Sequence, residues 1–254
     1  MVRIDNNKIL LGNSLEILEK LDDNFNLILT DPPQFRLVNK NIKLNNRKDF
    51  VREASFDYFV SYDEFISFTN DWITICINRM EKNGVLGIWF AEAYGGDLIN
   101  LCKKHSLTYF DTFYWHKTNP MPQVRKRHFL SSVETCLFFT KGKDYTFNFS
   151  NQNNMHDFIE LPICMGKKRL KDKIGNTLHP TQKPLKIIEH LIKIFSNVND
   201  KVLDLFSGTG TTNVACKKLN RKCLGIESNE EYYLASIERL NQINRTKSGV
   251  LCWI

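Results

Sequence analysis

The chain has 254 residues, 42% hydrophobic and 25% charged, with a formal net charge of +7. This is ordinary globular composition for one domain, and no stretch approaches the roughly 18 apolar residues of a membrane span. Seven cysteines without a C-x-x-C pair argue against disulfides and a metal site, so we expect a protein of a reducing, cytoplasmic compartment.

Strands and helices alternate along most of the chain. Strands are predicted at 8–11, 25–30, 85–90, 108–116, 133–140, 145–149, 201–205 and 222–227, and helices at 15–21, 61–83, 96–104, 184–196, 211–219 and 229–241. Residues 35–60 and 150–180 lack periodicity, and 107–150 is expected to be locally antiparallel. The alternation predicts an α/β fold with a doubly wound, mostly parallel sheet, an antiparallel terminal hairpin and a small insertion.

Positive charge is concentrated in three of the segments that lack regular periodicity. Residues 36–52 carry a net +5, 117–128 a net +4 and 167–173 a net +4, so the rest of the chain is net −6. Such segregation is typical of loops that face a polyanion, because neutralised phosphates dominate nucleic-acid affinity. Solvated lysine-rich loops are the alternative for any single segment.

The first motif is Asp31-Pro32-Pro33-Gln34, directly after the predicted strand 25–30. Two prolines end the strand and leave a carboxylate and a backbone carbonyl at its carboxyl end. Two acceptors at a rigid turn suit an exocyclic amine, whose delocalised lone pair attacks only when its N–H groups are held by hydrogen bonds. A plain turn is the alternative interpretation.

The second motif runs from Asp204 through Phe206, Gly208 and Gly210 to Thr212, where a strand passes into a helix. Glycines there let a ligand approach the backbone and the helix N-terminus. Glu227 ends the next strand, where a nucleoside-binding sheet places a carboxylate for ribose hydroxyls. The pattern lacks the Gly-Lys-Ser/Thr of a P-loop, so a nucleoside cofactor without pyrophosphate fits better.

The order of the motifs resembles the beta group of amino-type, S-adenosylmethionine-dependent DNA methyltransferases. The matching segments are Asp31-Pro32-Pro33, Trp115-x-Lys117-x-Asn119-Pro120-x-Pro122, Glu134, His179-Pro180-Thr181-Gln182-Lys183-Pro184, Asp204-x-Phe206-x-Gly208-x-Gly210-Thr211-Thr212, Gly225-Ile226-Glu227 and Glu231-Tyr232. The resemblance implies a seven-stranded Rossmann-like methyltransferase fold. It implies one domain over 1–254, with a catalytic half at 1–116, target recognition at 117–178 and cofactor binding at 179–254.

The resemblance also implies the site residues. Catalysis is assigned to Asp31, Pro32, Pro33 and Gln34. S-adenosylmethionine is assigned to Asn13, His179, Thr181, Lys183, Asp204, Phe206, Gly208, Gly210, Thr211, Thr212 and Glu227. DNA contacts are assigned to Phe35, Lys117, Asn119, Arg125, Lys126, Arg127, His128, Lys168 and Arg169. The implied partners are DNA and a cognate restriction endonuclease, with no membrane contact. The protein is expected to be a monomer or a homodimer, nucleoid-associated if prokaryotic.

One position departs from the family pattern. The catalytic motif normally ends in an aromatic residue that stacks on the flipped base, whereas this chain has Gln34. Either Phe35 stacks instead, or the enzyme binds an already unstacked base, or activity is reduced. Asp31 in the first position resembles the adenine N6 enzymes. Cytosine N4 transfer, RNA methylation and a non-catalytic DNA-binding module remain alternatives.

Overall fold

The computed structural model describes residues 6–37, 57–123 and 126–247. Its strands are β1 (Lys8–Leu11), β2 (Phe25–Thr30), β3 (Arg36–Leu37), β4 (Tyr58–Phe59), β5 (Met80–Phe90), β6 (Thr108–Lys117), β7 (Val133–Thr140), β8 (Phe158–Leu161), β9 (Lys201–Asp204) and β10 (Lys222–Glu227). Its helices are α1 (Ser14–Glu19), α2 (Tyr62–Asn78), α3 (Gly95–Lys104), α4 (Leu185–Phe195), α5 (Thr211–Lys218) and α6 (Glu230–Lys247).

Eight strands form one sheet in the order β1-β10-β9-β2-β5-β7-β6-β8, and β3 pairs with β4 separately. β7 is antiparallel to both of its neighbours, and the other pairs of this sheet are parallel. The strand order reverses between β9 and β2, which pair through Leu27 with Val202 and Ile28 with Leu203. The predicted fold is confirmed, and its switch point places a crevice at the carboxyl ends of β2 and β9.

Helices cover both faces of the sheet, as a doubly wound fold requires. Successive residues of β2 point to opposite faces, so Ile28 packs with the cluster that contains Phe65 and Trp72 of α2. Leu27 packs on the other side with a cluster that contains Leu191 of α4. All five side chains are at most 1% exposed. No helix among the described residues has the length and hydropathy needed to cross a bilayer.

The prediction of a strand at 145–149 is wrong. This segment packs on the end of α4 instead of joining the sheet: the Asn148 amide donates to the carbonyls of Lys193 and Ser196, and the Asn148 backbone N–H donates to Ile194. The Phe147 ring contacts Phe195. The apolar alternation therefore reflects packing against a helix end, where the orphan carbonyls need donors.

Two further boundaries differ from the prediction. Residues 150–180 were predicted to be irregular, but β8 lies within them and pairs in parallel with β6, which gives the sheet eight strands instead of seven. Helix α2 ends at Asn78, and β5 begins at Met80, opposite Phe25. The register shifts before Val85, so Asn83-Gly84 marks an irregularity inside the strand and not the end of the helix.

Candidate active site

The two motifs meet in one cavity at the switch point. The loops after β2 and β9 line a cavity of about 1160 Å³, which also reaches the start of β7 and the loop before α4. The Thr30 hydroxyl donates to Asp204 Oδ1 at 3.0 Å and joins the ends of the two strands. The topology thus brings Asp31 and Gly208, 177 positions apart in the chain, to the walls of the same cavity.

Two lysines and two carboxylates form a charged row across this cavity. Lys183 Nζ lies 2.5 Å from Asp31 Oδ2 and 3.1 Å from Glu134 Oε2. Lys117 Nζ lies 3.2 Å from Glu134 Oε1. Lys183 also sits 5.2 Å from the ring centroid of Trp89, so a cation–π contact adds to the ion pairs. Lys183 was predicted to hold the cofactor, which stays a prediction, and its ammonium is directed to the Asp-Pro-Pro loop.

The row shifts the proton affinities of its members. Burial raises the pKa of Asp31, and the nearby Lys183 offsets only part of that rise. Burial also acts to raise the pKa of Glu134, but Lys183 and Lys117 outweigh it, and the pKa is lowered overall. Burial alone would lower the pKa of Lys183, whereas the two carboxylates raise it. Lys183 therefore stays protonated, and Asp31 is the carboxylate of the row with the higher proton affinity.

Gln34 is fixed by three backbone groups. Its Nε2 donates to the carbonyls of Pro32 at 2.7 Å and Trp89 at 3.3 Å, and its Oε1 accepts from the Ala91 N–H at 2.8 Å. Its own N–H donates to Asp57 at 2.8 Å. Gln34 thus ties the Asp-Pro-Pro loop to the end of β5 and covers the Pro32 carbonyl that we assigned to the target amine.

We expect Gln34→Leu to destabilise the fold. Leucine has a similar volume but leaves the Ala91 N–H and two carbonyls without this partner, which costs about 1–3 kcal/mol. For a chain of this size the Tm should fall by about 2–10 °C in a thermal unfolding experiment. The matched control is Gln152→Leu, an exposed glutamine in a turn far along the chain, which should leave the Tm unchanged. Equal Tm values for Gln34→Leu and wild type would mean that the three bonds do not hold the loop.

Phe35 lies in an aromatic cluster beside the cavity. Its ring centroid is 5.4–6.4 Å from those of Phe59, Tyr62, Phe65 and Tyr94. These contacts hold the ring against α2 and the residues after β5. Stacking of Phe35 on a target base remains a prediction, and it would have to occur from within this cluster.

Asp204 is a buried junction between β2, β9 and α5. Its carboxylate accepts from the hydroxyls of Thr30 and Thr212, at 3.0 and 2.6 Å, and from the Phe206 N–H at 3.3 Å. Burial raises the pKa of Asp204 to about 6, although these hydrogen bonds act in the opposite direction. These contacts set the glycine turn in position, and the assignment of Asp204 to cofactor binding stays a prediction.

The glycine turn after β9 has a backbone that favours glycine. Gly208 has φ +50°, and a Cβ there would lie 3.0 Å from His179 Nε2. Gly210 has φ +73°, and a Cβ there would lie 2.8 Å from Ser236 Cβ in α6. Glu227 accepts from the N–H groups of Gly208 and Asn229, both at 2.7 Å. The turn is therefore shaped by the same carboxylate that we assigned to ribose hydroxyls.

The loop before α4 closes another wall of the cavity. His179 lies 4.7 Å from Tyr232, ring to ring, and its Nδ1 accepts from the Thr181 N–H at 3.3 Å. Burial, with the positive charges of Lys183 and Arg169, lowers the pKa of His179 to about 4, so it is neutral at physiological pH. The Arg169 guanidinium donates to the carbonyls of Cys164, His179 and Pro180 and braces this loop.

The remaining predicted residues fall into two groups. Asn13 caps α1 by accepting from the Leu15 N–H, and Thr211 accepts from Arg239 of α6. Asn119 accepts from the Ile163 N–H and ties the loop after β6 to the segment after β8. Exposed positions are occupied by Lys126, Arg127, His128 and Lys168. Arg125 and most of the basic segment 36–52 lie outside the described residues.

Some residues of the cavity were not assigned from the sequence. Glu134 appeared only as part of a motif, although it joins both lysines. Trp89 lies under Lys183, Tyr232 lies against His179, and Asp57 accepts from Gln34.

A crevice at a switch point, a glycine turn in the left-handed region and a carboxylate one strand later define an α/β enzyme that binds a nucleoside cofactor. The Asp-Pro-Pro loop across the crevice is the feature of this site that the chain shares with the amino-type methyltransferases it resembles. Residues 25–238 match the family model described as DNA methylase, for N6 and N4 methyltransferases, and the chain belongs to this family.

Individual relatives agree with this assignment. The type II methyltransferase M.HinfI of Haemophilus influenzae is 30% identical, covering 96% of this chain and 71% of the relative. The type II methyltransferase M2.LlaDCHI of Lactococcus lactis subsp. cremoris is 30% identical, covering 91% and 88%. The crystal structure of an M1.HpyAVI–SAM complex has a TM-score of 0.72 at 28% identity, over 92% and 98%. The cytosine-N4-specific PvuII DNA methyltransferase, at 18% identity and a TM-score of 0.72 over 97% and 94%, shares the fold.

Proposed function

We propose that this chain transfers a methyl group from S-adenosylmethionine to adenine N6 of a flipped-out base in DNA, as the modification enzyme of a restriction–modification system. The observation that carries the proposal is the single cavity in which Asp31 faces the glycine turn after β9. The type II relatives support the modification role, and a restriction endonuclease is the partner that such a role implies.

The residues of the glycine turn fit this cofactor. Close approach to the backbone is possible at Gly208, where a Cβ would already lie 3.0 Å from His179. Phe206 offers an apolar wall, and Glu227 keeps lone pairs for ribose hydroxyls beyond its two backbone bonds. When bound, S-adenosylmethionine supplies an electrophilic methyl group on a sulfonium. The neutral His179 adds no positive charge to the wall of the cavity, which favours binding of a cation.

We expect Glu227→Ala to weaken binding of S-adenosylmethionine by about 10-fold to 100-fold, because a charge-assisted hydrogen bond to the ligand and the support of Gly208 are lost together. Isothermal titration calorimetry with the cofactor measures this directly. Glu227→Gln keeps one acceptor, so its Kd for S-adenosylmethionine should lie between those of the wild type and Glu227→Ala. An unchanged Kd in both variants would mean that Glu227 supports the turn alone and that the ribose is held elsewhere.

Asp31 and Pro32 prepare the target amine. Lys183 occupies Asp31 Oδ2, so Oδ1 is the oxygen that accepts an N–H of the base. The Pro32 carbonyl accepts the second N–H after the Gln34 amide has moved aside. Two acceptors favour the pyramidal amine whose lone pair attacks the methyl group. After transfer the nitrogen carries an extra proton, and the raised pKa of Asp31 suits it to receive that proton.

The choice of adenine rests on Asp31 in the first position of the motif, which resembles the adenine N6 enzymes. Cytosine N4 transfer would use the same carboxylate and carbonyl. Nucleoside analysis of the modified DNA separates the two, because N6-methyladenine and N4-methylcytosine have different masses and retention times. Modification-aware sequencing of DNA from cells that express the protein adds the recognition sequence.

A second function is favoured by one observation. Because Gln34 Nε2 holds the Pro32 carbonyl at 2.7 Å, a chain that cannot release this bond would bind DNA without methylating it. The test is Gln34→Tyr, which restores the usual aromatic residue but removes the three backbone bonds. We expect less than about a 10-fold change in the transfer rate, because the gain from the aromatic ring and the loss of the three backbone bonds oppose each other. A gain well above that would identify Gln34 as a defect of the wild type.

The DNA-facing region is proposed to be 117–178. Lys126, Arg127 and Lys168 carry positive charge there and, like His128, are exposed. Exposed cations suit phosphate contacts that position the duplex without reading its sequence. Arg169 and Asn119 support this region through their backbone contacts.

A further inference from the structure

Phe129 is the most exposed large hydrophobic side chain among the described residues. It is 98% exposed, and the adjacent Leu130 is 49% exposed. A phenylalanine in water forgoes the gain from burial that its ring would have in the core. Such exposure is expected where a side chain is buried only in a complex.

The loop that carries Phe129 lies at the rim of the cavity. It leaves the sheet at the end of β6 and returns at Val133, and its base is closed by the Lys117 N–H, which donates to the Ser132 carbonyl at 2.6 Å. Ser131 and Glu134 line the cavity. Phe129 is two residues from Ser131, so its backbone lies within roughly 7 Å of the rim.

Two residues before Phe129 supply positive charge. Lys126 and Arg127 are exposed cations, His128 is exposed beside them, and no acidic residue occurs between 117 and 133. An apolar ring that follows exposed cations matches a nucleic acid, whose phosphates attract the cations and whose bases accept an aromatic ring by stacking.

We propose that Phe129 is a wedge that enters the duplex and stacks in the gap left by the flipped target base. This inference rests on the proposed function, because it assigns the ring to the base-flipping step. Extrusion of a base costs stacking and pairing, and a ring that fills the gap recovers part of that cost. The proposal therefore also assigns double-stranded DNA as the substrate for which Phe129 matters.

The kinetic test uses Phe129→Ala with Phe149→Ala as matched control. Phe149 is 53% exposed but follows Asn148, which binds the end of α4 at the opposite end of the sheet. Single-turnover methyl transfer is measured on the mapped site as a paired duplex, as a duplex with a mismatch at the target base, and as a single strand. We expect Phe129→Ala to slow transfer about 10-fold to 100-fold on the paired duplex and less than about 3-fold on the other two. Phe149→Ala should match wild type on all three.

Equal slowing of Phe129→Ala on all three substrates, or no slowing on the paired duplex, would overturn the wedge. Failure of the proposed function has a separate readout, which is the absence of transfer by the wild type. A binding measurement tests the wedge even then: fluorescence anisotropy with an intact duplex and one containing a single abasic nucleotide. The wild type should prefer the abasic duplex, whose gap is preformed, and Phe129→Ala should lose this preference. A preference that Phe129→Ala retains would count against the wedge.

Discussion

We expect replacement of Asp31 by alanine to lower the rate of methyl transfer by about 10³-fold or more, while binding of S-adenosylmethionine changes little. In the proposed mechanism Asp31 supplies an acceptor for the target amine that matters most when positive charge develops on the nitrogen, and such preorganised contacts carry large parts of a catalytic barrier. Lys183 keeps Glu134 as a partner at 3.1 Å, so the variant does not strand a buried cation.

Single-turnover kinetics with saturating cofactor measures this effect, and calorimetry measures cofactor binding. The matched control is Glu189→Ala, which removes a carboxylate paired with Lys218 at 2.7 Å on helices α4 and α5. That variant should retain the wild-type rate. A similar rate for wild type and Asp31→Ala would remove Asp31 from the chemistry.

Substitution of Lys183 by methionine is expected to move the acidic limb of the pH–rate profile upward by about 1–3 pH units, the usual influence of one close opposite charge. Burial already raises the pKa of Asp31, and Lys183 is the largest influence that lowers it. Without Lys183 the pKa rises further, so a smaller fraction of Asp31 is ionised at neutral pH. Transfer therefore falls at pH 7 and recovers as the pH is raised.

The pH profile of kcat/KM distinguishes this role from the predicted role in cofactor binding. If Lys183 only holds the cofactor, Lys183→Met raises the KM for S-adenosylmethionine and leaves the midpoint of the acidic limb in place. Lys183→Arg keeps the positive charge, so the midpoint of its acidic limb should lie close to the wild-type pH. Lys218→Met removes a lysine from a comparable ion pair away from the cavity and should have the wild-type profile.

The sequence predicted most of the fold because the signals that define it are local. Apolar runs that end at a breaking residue, such as 25–30 before Pro32, gave strand bounds that match the structure. The strand prediction for 145–149 failed because rings that pack on a helix end show the same alternation of apolar and polar residues as a strand. Strand β8 was missed because four residues with alternating exposure carry too little signal to stand out in an irregular region.

The site was predictable at the level of which loops meet, and less so at the level of contacts. The switch-point rule was enough to bring Asp31 and Gly208 together. The contact of Lys183 with Asp31 spans 152 positions and depends on how the loop before α4 enters the cavity. Gln34 binds backbone carbonyls and an amide, groups that every residue carries, so no pattern of residue types indicates its partners.

Arg169 has contacts that its charge alone did not indicate. Its place in a basic segment suggested DNA, which stays a prediction, and its guanidinium donates to three backbone carbonyls that shape the loop of His179. A planar cation with five donors serves either purpose, and only the fold decides which acceptors lie within reach.

We propose that Asp31 directs methyl transfer to an adenine amine. The most direct measurement incubates duplex DNA with labelled S-adenosylmethionine and wild-type or Asp31→Ala protein, digests the DNA to nucleosides and identifies the labelled product. We expect labelled N6-methyladenine with the wild type and a signal near background with Asp31→Ala. Label in N4-methylcytosine would contradict the choice of base, and equal label from both proteins, or none from the wild type, would contradict the mechanism.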